Sequence, residues 1–173
     1  NNNKKVLLFW YPKDFTFVCP TELHAFQAAL GEFEKRNTIV IGASCDTPEV
    51  HFAWLSTSKD NGGIEGVTYP ILADSNRNLS SVLGILDITN ETFDELTQTV
   101  QVEGDNVTYR ATYVFHEGVN HMPVGRNVNE FLRLIDAYAH VQSHGEVCPA
   151  NWEEGKEAMA PNAKGTAEYL AVH

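Results

Sequence analysis

Cys19 is the residue of this sequence whose neighbours best suit chemistry at sulfur. It follows Pro12 and Thr16 in the spacing Pro-x-x-x-Thr-x-x-Cys. At average composition these three residues at this spacing arise by chance in about one chain in a hundred of this length. The threonine places a hydroxyl one loop turn before the thiol, and the proline can exclude water. The spacing makes Cys19 a candidate nucleophile.

The elements around Cys19 place it at the start of a helix. Residues 6–11 form a continuous apolar run, which predicts a buried strand, and residues 21–36 carry an apolar stripe at helical spacing. Pro20 is typical of a first helical turn. Backbone N–H groups at a helix N-terminus favour negative charge, so the position favours a thiolate. A buried structural cysteine fits the same position equally well.

Ionisation alone adds little reactivity to a thiol. Full ionisation raises the thiolate fraction at neutral pH about thirtyfold, and the weaker base loses about one decade of nucleophilicity. A fast thiol therefore needs hydrogen-bond donors that stabilise the charge moving in the transition state. We expect such donors around Cys19, and Thr16 is a candidate nearby in sequence.

Strands and helices alternate along the rest of the chain. The patterns predict strands at 6–11, 38–43, 71–73 and 108–115, and helices at 21–36, from Pro48 to about Gly62, at 76–83 and at 128–138. Residues 87–105 are polar and stay unassigned. This alternation predicts an α/β fold with a largely central sheet and helices on its faces. The Gly/Pro/Ala-rich composition after Gly145 predicts one domain over 1–144 and a C-terminal arm over 145–173.

Composition limits the partners. The chain has 173 residues and 12 Lys+Arg against 23 Asp+Glu, a net charge of −11. That charge repels nucleic acid and anionic bilayers, and no apolar run reaches the roughly 18 residues of a spanning helix. Three cysteines are too few for a secreted disulfide framework. We therefore expect a soluble cytoplasmic protein that binds neither nucleic acid nor membrane.

Residues 9–22 resemble the active-site signature of peroxiredoxins, close to the bacterial alkyl hydroperoxide reductase C group. Further similar segments lie at 41–44, 51–54, 62–63, 72–74, 109–112, 125–127 and 145–149. The resemblance thus extends over nearly the whole chain. It implies a thioredoxin-like fold with a central mixed sheet. It also implies a thiol-specific peroxidase that reduces hydrogen peroxide and organic hydroperoxides in antioxidant defence.

The resemblance assigns roles to the residues around the thiol. Cys19 matches the peroxidatic cysteine, Thr16 and Pro12 match its loop partners, and Arg110 matches the family's catalytic arginine. A guanidinium is always charged and presents planar donors that suit both a thiolate and a peroxide oxygen. Without the resemblance, a strand arginine would be interpreted as part of a surface salt bridge.

Two further residues match a supporting pair. Glu22 and Arg126 correspond to the groups that orient the catalytic arginine in the family. Glu22 alone would be interpreted as a carboxylate favoured at a helix start. The pair is expected to hold Arg110 against the sulfur.

Cys148, in Gly-Glu-Val-Cys-Pro, matches the family's resolving cysteine. A sulfenic acid condenses with a second thiol to a disulfide, and an arm is a suitable carrier for that thiol. The resemblance implies that Cys148 comes from the partner subunit of a homodimer, which can close into a ring of dimers such as a decamer. Without a nucleotide loop or a Cys-x-x-Cys pair, we expect no bound cofactor and an external dithiol reductant, thioredoxin or a dedicated flavoprotein reductase.

Other interpretations explain fewer residues. A cysteine hydrolase pairing Cys19 with one of seven histidines leaves Thr16, Arg110 and Cys148 without a role. A redox-controlled chaperone or peroxide sensor on the same scaffold is an alternative from another class. His140 and His144 have the spacing of metal ligands, but we expect two surface histidines and no metal. Cys45 is interpreted as an inert core thiol.

Some segments depart from the family. The first hairpin before Val6 is missing, and the strand–turn–strand after Val114 is shortened, so we expect the natural chain to be longer at both places. Over-oxidation-sensitive members carry Gly-Gly-Leu-Gly and a C-terminal Tyr-Phe that pack together. This chain keeps half of each, at residues 62–65 and 169–170. We expect intermediate sensitivity to over-oxidation.

Overall fold

The structure is a computed structural model that describes residues 4–87, 90–94, 99–103, 106–115 and 128–173. Its strands are β1 (Lys5–Trp10), β2 (Thr38–Ser44), β3 (Ile71–Ala73), β4 (Asn90–Asp94), β5 (Thr99–Glu103) and β6 (Ala111–Phe115). Its helices are α1 (Cys19–Ala28), α2 (Leu30–Lys35), α3 (Pro48–Leu55), α4 (Asn78–Val82), α5 (Val128–His144) and α6 (Ala163–Val172), with a 3₁₀ turn at Lys59–Asn61.

The main sheet is mixed and has the order β3-β2-β1-β6. β1 runs parallel to β2, with Leu7 opposite Val40, and antiparallel to β6, with Phe9 opposite Thr112. β3 adds to β2 in parallel. The expected α/β fold with a central mixed sheet is therefore confirmed.

The alternating side chains of β1 fill two cores, one on each face of the sheet. Leu7 and Phe9 pack with Leu23 of α1 and Trp54 of α3. Leu8 and Trp10 face the opposite side, where the cluster includes Ala43 and Ile85. The continuous apolar run of β1 thus reflects burial on both faces.

The first helical pattern forms two helices instead of one. α1 begins at Cys19 rather than Thr21, because Pro20 occupies the first turn, where a missing N–H costs no intrahelical bond. The helix ends at Ala28, and Ala29 has ψ of 0°, which turns the chain before α2 starts at Leu30. The apolar stripe continues across this break, so periodicity alone does not reveal it.

The unassigned segment 87–105 contains an antiparallel hairpin. β4 pairs with β5, with Asn90 opposite Glu103, in a two-stranded sheet separate from the main one. The predicted strand 108–115 is shorter in the structure, because β6 begins at Ala111. Before it, Thr108 forms an isolated bridge with Leu86.

The chain after α5 is more regular than its composition predicts. α5 ends at His144, and Gly145 follows with φ of +67°, a conformation that glycine adopts without strain. Val147 then pairs with Met159, and α6 begins where the Asn162 side chain accepts a hydrogen bond from the N–H of Gly165. Among the described helices, none is long and apolar enough to cross a membrane.

Candidate active site

Cys19 lies at the first position of α1 and is buried, with 1% of its surface exposed. Val18 occupies the N-cap, and its apolar side chain makes no capping hydrogen bond. Thr21 donates both its N–H and its hydroxyl to the Val18 carbonyl, at 3.0 and 2.7 Å, which tightens the first turn. The positive end of the helix dipole therefore lies at the thiol and favours negative charge there.

Arg110 is the cation beside the sulfur. Its Nη1 donates to Cys19 Sγ at 3.5 Å and forms an ion pair with Glu22 Oε2. Burial alone would lower the pKa of Arg110, but the neighbouring Cys19 and Glu22 groups raise it. The side chain is still 39% exposed, so a small oxidant can reach the guanidinium from solvent.

The chain just before β6 is fixed on two sides, and this places Arg110. The Thr108 hydroxyl donates to the Tyr11 carbonyl at 3.0 Å, at the end of β1. On the other side, the Tyr109 N–H donates to the Ile85 carbonyl at 2.8 Å. Arg110 therefore leaves a backbone segment that is anchored to the same strand that leads to the Cys19 loop.

Glu22 stands where the sequence places it, one turn after Cys19 on α1. Burial raises the pKa of the Glu22 carboxyl, and the charge of Arg110 opposes that shift. The carboxylate and the guanidinium thus stabilise each other's charged forms in a partly buried site. Arg126, the other member of the expected supporting pair, lies outside the described residues.

Thr16 and Pro12 lie in the loop that leads to α1. The Thr16 hydroxyl donates to the Lys13 carbonyl at 2.7 Å, and a hydroxyl has a single proton to give. Phe15 between them has φ of +54°, an uncommon conformation for a bulky residue. Donation from Thr16 to the sulfur or to a peroxide stays a prediction, as does the exclusion of water by Pro12.

A buried hydrogen-bond network beneath this loop was missed in the sequence. Asp14 accepts from the Tyr11 hydroxyl at 2.8 Å and bonds to His51 Nδ1 at 2.7 Å. Burial would lower the pKa of His51, but the hydrogen bond and charge of Asp14 raise it. The network ties the loop to α3. A carboxylate between Tyr11 and Phe15 was the available signal, since a buried charge requires partners.

Cys148 lies in the arm, close to the first turn of α1. Its thiol is half-buried and donates weakly to the Ala137 carbonyl at 3.8 Å. Burial raises the pKa of Cys148, and the nearby Arg133 opposes that shift. Two residues on, the Ala150 N–H donates to Thr21 Oγ1 at 3.0 Å, so the arm contacts the first turn of α1.

One cavity connects the arm to the candidate site. Its volume is about 520 Å³, and its lining includes Val18, Glu22 and Arg110 together with Cys148. The arm and α1 therefore line the same cavity.

The remaining candidates have other partners. Cys45 is half-buried beside Ser80, 3.6 Å from its hydroxyl, and burial raises the pKa of the Cys45 thiol. His140 pairs with Glu146 at 2.9 Å and stacks on His144. Within the described ranges, no three His, Cys, Asp or Glu side chains are grouped as a metal site requires.

The described histidines do not support a cysteine hydrolase. His24 bonds to the Gly63 carbonyl, His51 to Asp14 and His140 to Glu146. The cation at Cys19 is Arg110, which cannot act as a general base at neutral pH.

Comparisons with known proteins agree with this geometry. A model of the "AhpC/TSA family" matches residues 1–120, and one of the "C-terminal domain of 1-Cys peroxiredoxin" matches residues 137–171. The chain is 42% identical to alkyl hydroperoxide reductase C of Helicobacter pylori over 97% of its length and 80% of that protein. It is 41% identical to peroxiredoxin-2 of Bos taurus over 98% of its length and 81% of that protein.

A solved structure, the reduced 2-Cys peroxiredoxin of Plasmodium vivax, matches with a TM-score of 0.57 and 37% identity over 98% of this chain and 83% of that one. The thioredoxin-like fold is thereby confirmed. The relatives are named as reductases and peroxiredoxins, which favours a peroxidase over a chaperone or sensor. The chain therefore belongs to the AhpC/TSA family and is a peroxiredoxin, a thiol-dependent peroxidase.

Proposed function

We propose that Cys19 is the peroxidatic nucleophile. Its thiolate attacks one oxygen of the peroxide, the O–O bond breaks, and the other oxygen leaves as water or an alcohol after taking a proton. Cys19 becomes a sulfenic acid. The observation that carries this assignment is the Arg110 guanidinium, 3.5 Å from the sulfur at the N-terminus of α1.

Arg110 stabilises the transition state more than the resting thiolate. Negative charge moves from sulfur to the departing oxygen, and a partly exposed guanidinium next to the sulfur can follow it. Glu22 orients Arg110 through their ion pair, and Arg126 completes the supporting pair. Thr16 and Pro12 shape the peroxide side of the site and keep water from it.

Cys148 resolves the oxidised cysteine. The Cys148 sulfur attacks the sulfur of the Cys19 sulfenic acid, and a disulfide forms. The hydroxyl of the sulfenic acid takes a proton and leaves as water. Within one chain, the hydrogen bond from Ala150 to Thr21 and the shared cavity show that the Cys148 segment lies beside α1. Because Cys19 is 1% exposed, the first turn of α1 has to unwind before the two sulfurs meet.

The resolving cysteine comes from the partner subunit of a homodimer, with 1–144 as the peroxiredoxin domain and 145–173 as the arm that carries Cys148. The family resemblance supports this arrangement, and dimers close into a ring such as a decamer. An external dithiol, thioredoxin or a flavoprotein reductase, regenerates both thiols without a cofactor bound to this chain. Hydrogen peroxide and organic hydroperoxides are the substrates, and the cytoplasm is the compartment that suits its three sparse cysteines.

The test is one equivalent of hydrogen peroxide added to the reduced protein, followed by intact mass and non-reducing electrophoresis. We expect a dimer without reductant and a monomer with it, joined by a disulfide between Cys19 and Cys148. The Cys148→Ser variant reacts once and stalls as the sulfenic acid. Peptide mapping that finds an intrachain disulfide would overturn the pairing between subunits, and oxidation at a sulfur other than Cys19 would overturn the assignment itself.

A further inference from the structure

His24 lies on the second turn of α1 and contacts the loop after the 3₁₀ turn. Its Nε2 is 3.0 Å from the carbonyl oxygen of Gly63. Because a carbonyl can only accept, Nε2 carries the proton and donates it. This bond joins the helix of the peroxidatic cysteine to a segment 39 residues away.

The loop that accepts this bond is held firmly in place. Trp54, fully buried, donates its indole N–H to the Gly62 carbonyl at 3.0 Å, and the Gly63 N–H donates to Ser58 at 3.0 Å. A Cβ on Gly63 would come 2.0 Å from the Thr57 carbonyl oxygen. The Gly63 carbonyl is therefore a fixed anchor for α1.

Other bonds hold α1 before and after His24. Near its C-terminal end, Gln27 accepts from the Thr68 N–H at 2.9 Å and donates to its hydroxyl at 3.1 Å. Near its start, Thr21 accepts from the Ala150 N–H of the arm at 3.0 Å. His24 lies between these two contacts along the helix.

We propose that His24 is a positioning residue whose hydrogen bond to Gly63 limits the unwinding of α1 and thereby sets the fate of oxidised Cys19. The inference rests on the proposed roles of Cys19 and Cys148. With α1 folded, the sulfenic acid meets a second peroxide, which becomes water or an alcohol as the sulfur becomes a sulfinic acid. With α1 unwound, it condenses with the Cys148 thiol, and water leaves.

The electrostatics around His24 agree with a neutral donor. Burial and the positive charge of Lys59 lower the pKa of His24, although the Gly63 carbonyl opposes them. The imidazole therefore stays neutral in the folded helix at physiological pH, with its single proton engaged at Nε2. Its contribution is a single hydrogen bond to the Gly63 carbonyl, and the side-chain amide of a glutamine can donate in its place.

The experiment measures sulfinic acid per turnover in the full chain, with hydrogen peroxide, dithiothreitol as the dithiol and intact mass as the readout. His24→Leu keeps the volume and removes the donor. We expect sulfinic acid per turnover to fall about threefold to tenfold, the factor that one net hydrogen bond represents. The rate of the first oxidation of Cys19 should stay within about twofold, because the folded site still predominates. His24→Gln should return sulfinic acid per turnover to within about twofold of the value for the unsubstituted protein.

Gln27→Leu is the matched control, since it weakens α1 beyond the point of unwinding and should lower the melting temperature without changing the partition. The inference is overturned if His24→Leu leaves the partition unchanged, if glutamine behaves as leucine does, or if Gln27→Leu has the same effect. Failure of the proposed function looks different. In that case the unsubstituted protein itself forms neither the Cys19–Cys148 disulfide nor sulfinic acid at Cys19.

Discussion

Cys19 and Cys148 occupy opposite kinds of surroundings. Cys19 is buried at a helix N-terminus with a guanidinium 3.5 Å from its sulfur. Cys148 is half-buried after the end of α5, and its thiol contacts only a carbonyl at 3.8 Å among the hydrogen bonds described for it. Burial raises the pKa of Cys148, and the nearby Glu146 adds to that shift while Arg133 opposes it.

With the roles proposed for Cys19 and Cys148, the difference explains how one chain can separate two thiol reactions. A thiol that attacks peroxide needs stabilised negative charge and donors for the leaving oxygen, which the first site supplies. A thiol that attacks only a neighbouring sulfenic acid gains its rate from proximity and can remain protonated until it is needed. A resting Cys148 of this kind does not compete for peroxide.

Exchanging the reactive sulfur should have the largest effect. Cys19→Ser is expected to reduce peroxide consumption to the background rate, because the hydroxyl is not ionised at neutral pH. Cys45→Ser is the control and should retain full turnover with added dithiol. Turnover that survives in Cys19→Ser would mean that Cys148 or Cys45 reacts with peroxide directly, and the contrast between the two sites would disappear.

Removing the cation should have the next largest effect. Arg110→Ala is expected to slow the first oxidation about 10²–10³-fold, the usual loss on removing one donor from a transition state. It also leaves Glu22 with a carboxyl whose pKa is raised by burial. Stopped-flow measurement of the Cys19 oxidation rate between neutral and alkaline pH checks the origin of the loss.

Alkaline pH ionises the thiol without restoring the donor, so the deficit of Arg110→Ala should persist there. Full recovery at high pH would mean that Arg110 acts only on the resting thiolate. Arg110→Lys, which keeps the charge but loses the planar donors, should lie between the two.

Removing α6 should change how oxidised Cys19 divides between sulfinic acid and disulfide. It should not change the rate of the first oxidation of Cys19. In α6, Leu170 is buried, and the Thr166 hydroxyl donates to the Phe17 carbonyl at 3.3 Å. Deleting the residues after Ala160 should lower sulfinic acid per turnover about tenfold or more, since burial of one leucine contributes about 1.5–3 kcal/mol. Thr166→Val removes the hydroxyl alone and should have a smaller effect. Equal inactivation with and without the arm would show that α6 does not restrain α1.

Acidification should have the smallest effect. The pKa of His24 is lowered in folded α1 and returns towards about 6.5 once the helix unwinds. The unwound state therefore binds more protons, and its share rises as pH falls below about 6.5. The measurement is the ratio of sulfinic acid per turnover in the unsubstituted protein to that in His24→Gln. Between about pH 7 and pH 5.5 we expect this ratio to fall by less than about threefold. A ratio that does not change with pH would contradict a titrating His24.

The sequence predicts the elements of the main sheet because their signals are local. The apolar run of β1 follows from its burial on both faces of the sheet. The hairpin β4–β5 could not be assigned, since its strands are mostly polar and pair with each other instead of with the main sheet. The composition around α6 predicts only an arm, although Asn162 before Gly165 is a capping signal.

The roles of the candidate site residues stay predictions, although the resemblance named Arg110 and Glu22. In the structure Arg110 lies beside Cys19 and pairs with Glu22. The contact of His24 with Gly63 joins residues distant in sequence, with no pattern that marks either as a partner. Such contacts depend on how loops cross over helices, which periodicity does not encode.

The burial of Cys19 has a consequence for chemical labelling. With 1% of its surface exposed, the sulfur admits a small molecule that approaches past Arg110 but not a bulky alkylating reagent. A maleimide-sized probe should therefore modify the half-buried Cys45 and Cys148 first. The rate at which Cys19 is labelled would then report how often α1 opens. A proteome-wide thiol screen should therefore rank the proposed peroxidatic cysteine as the least reactive thiol of this chain.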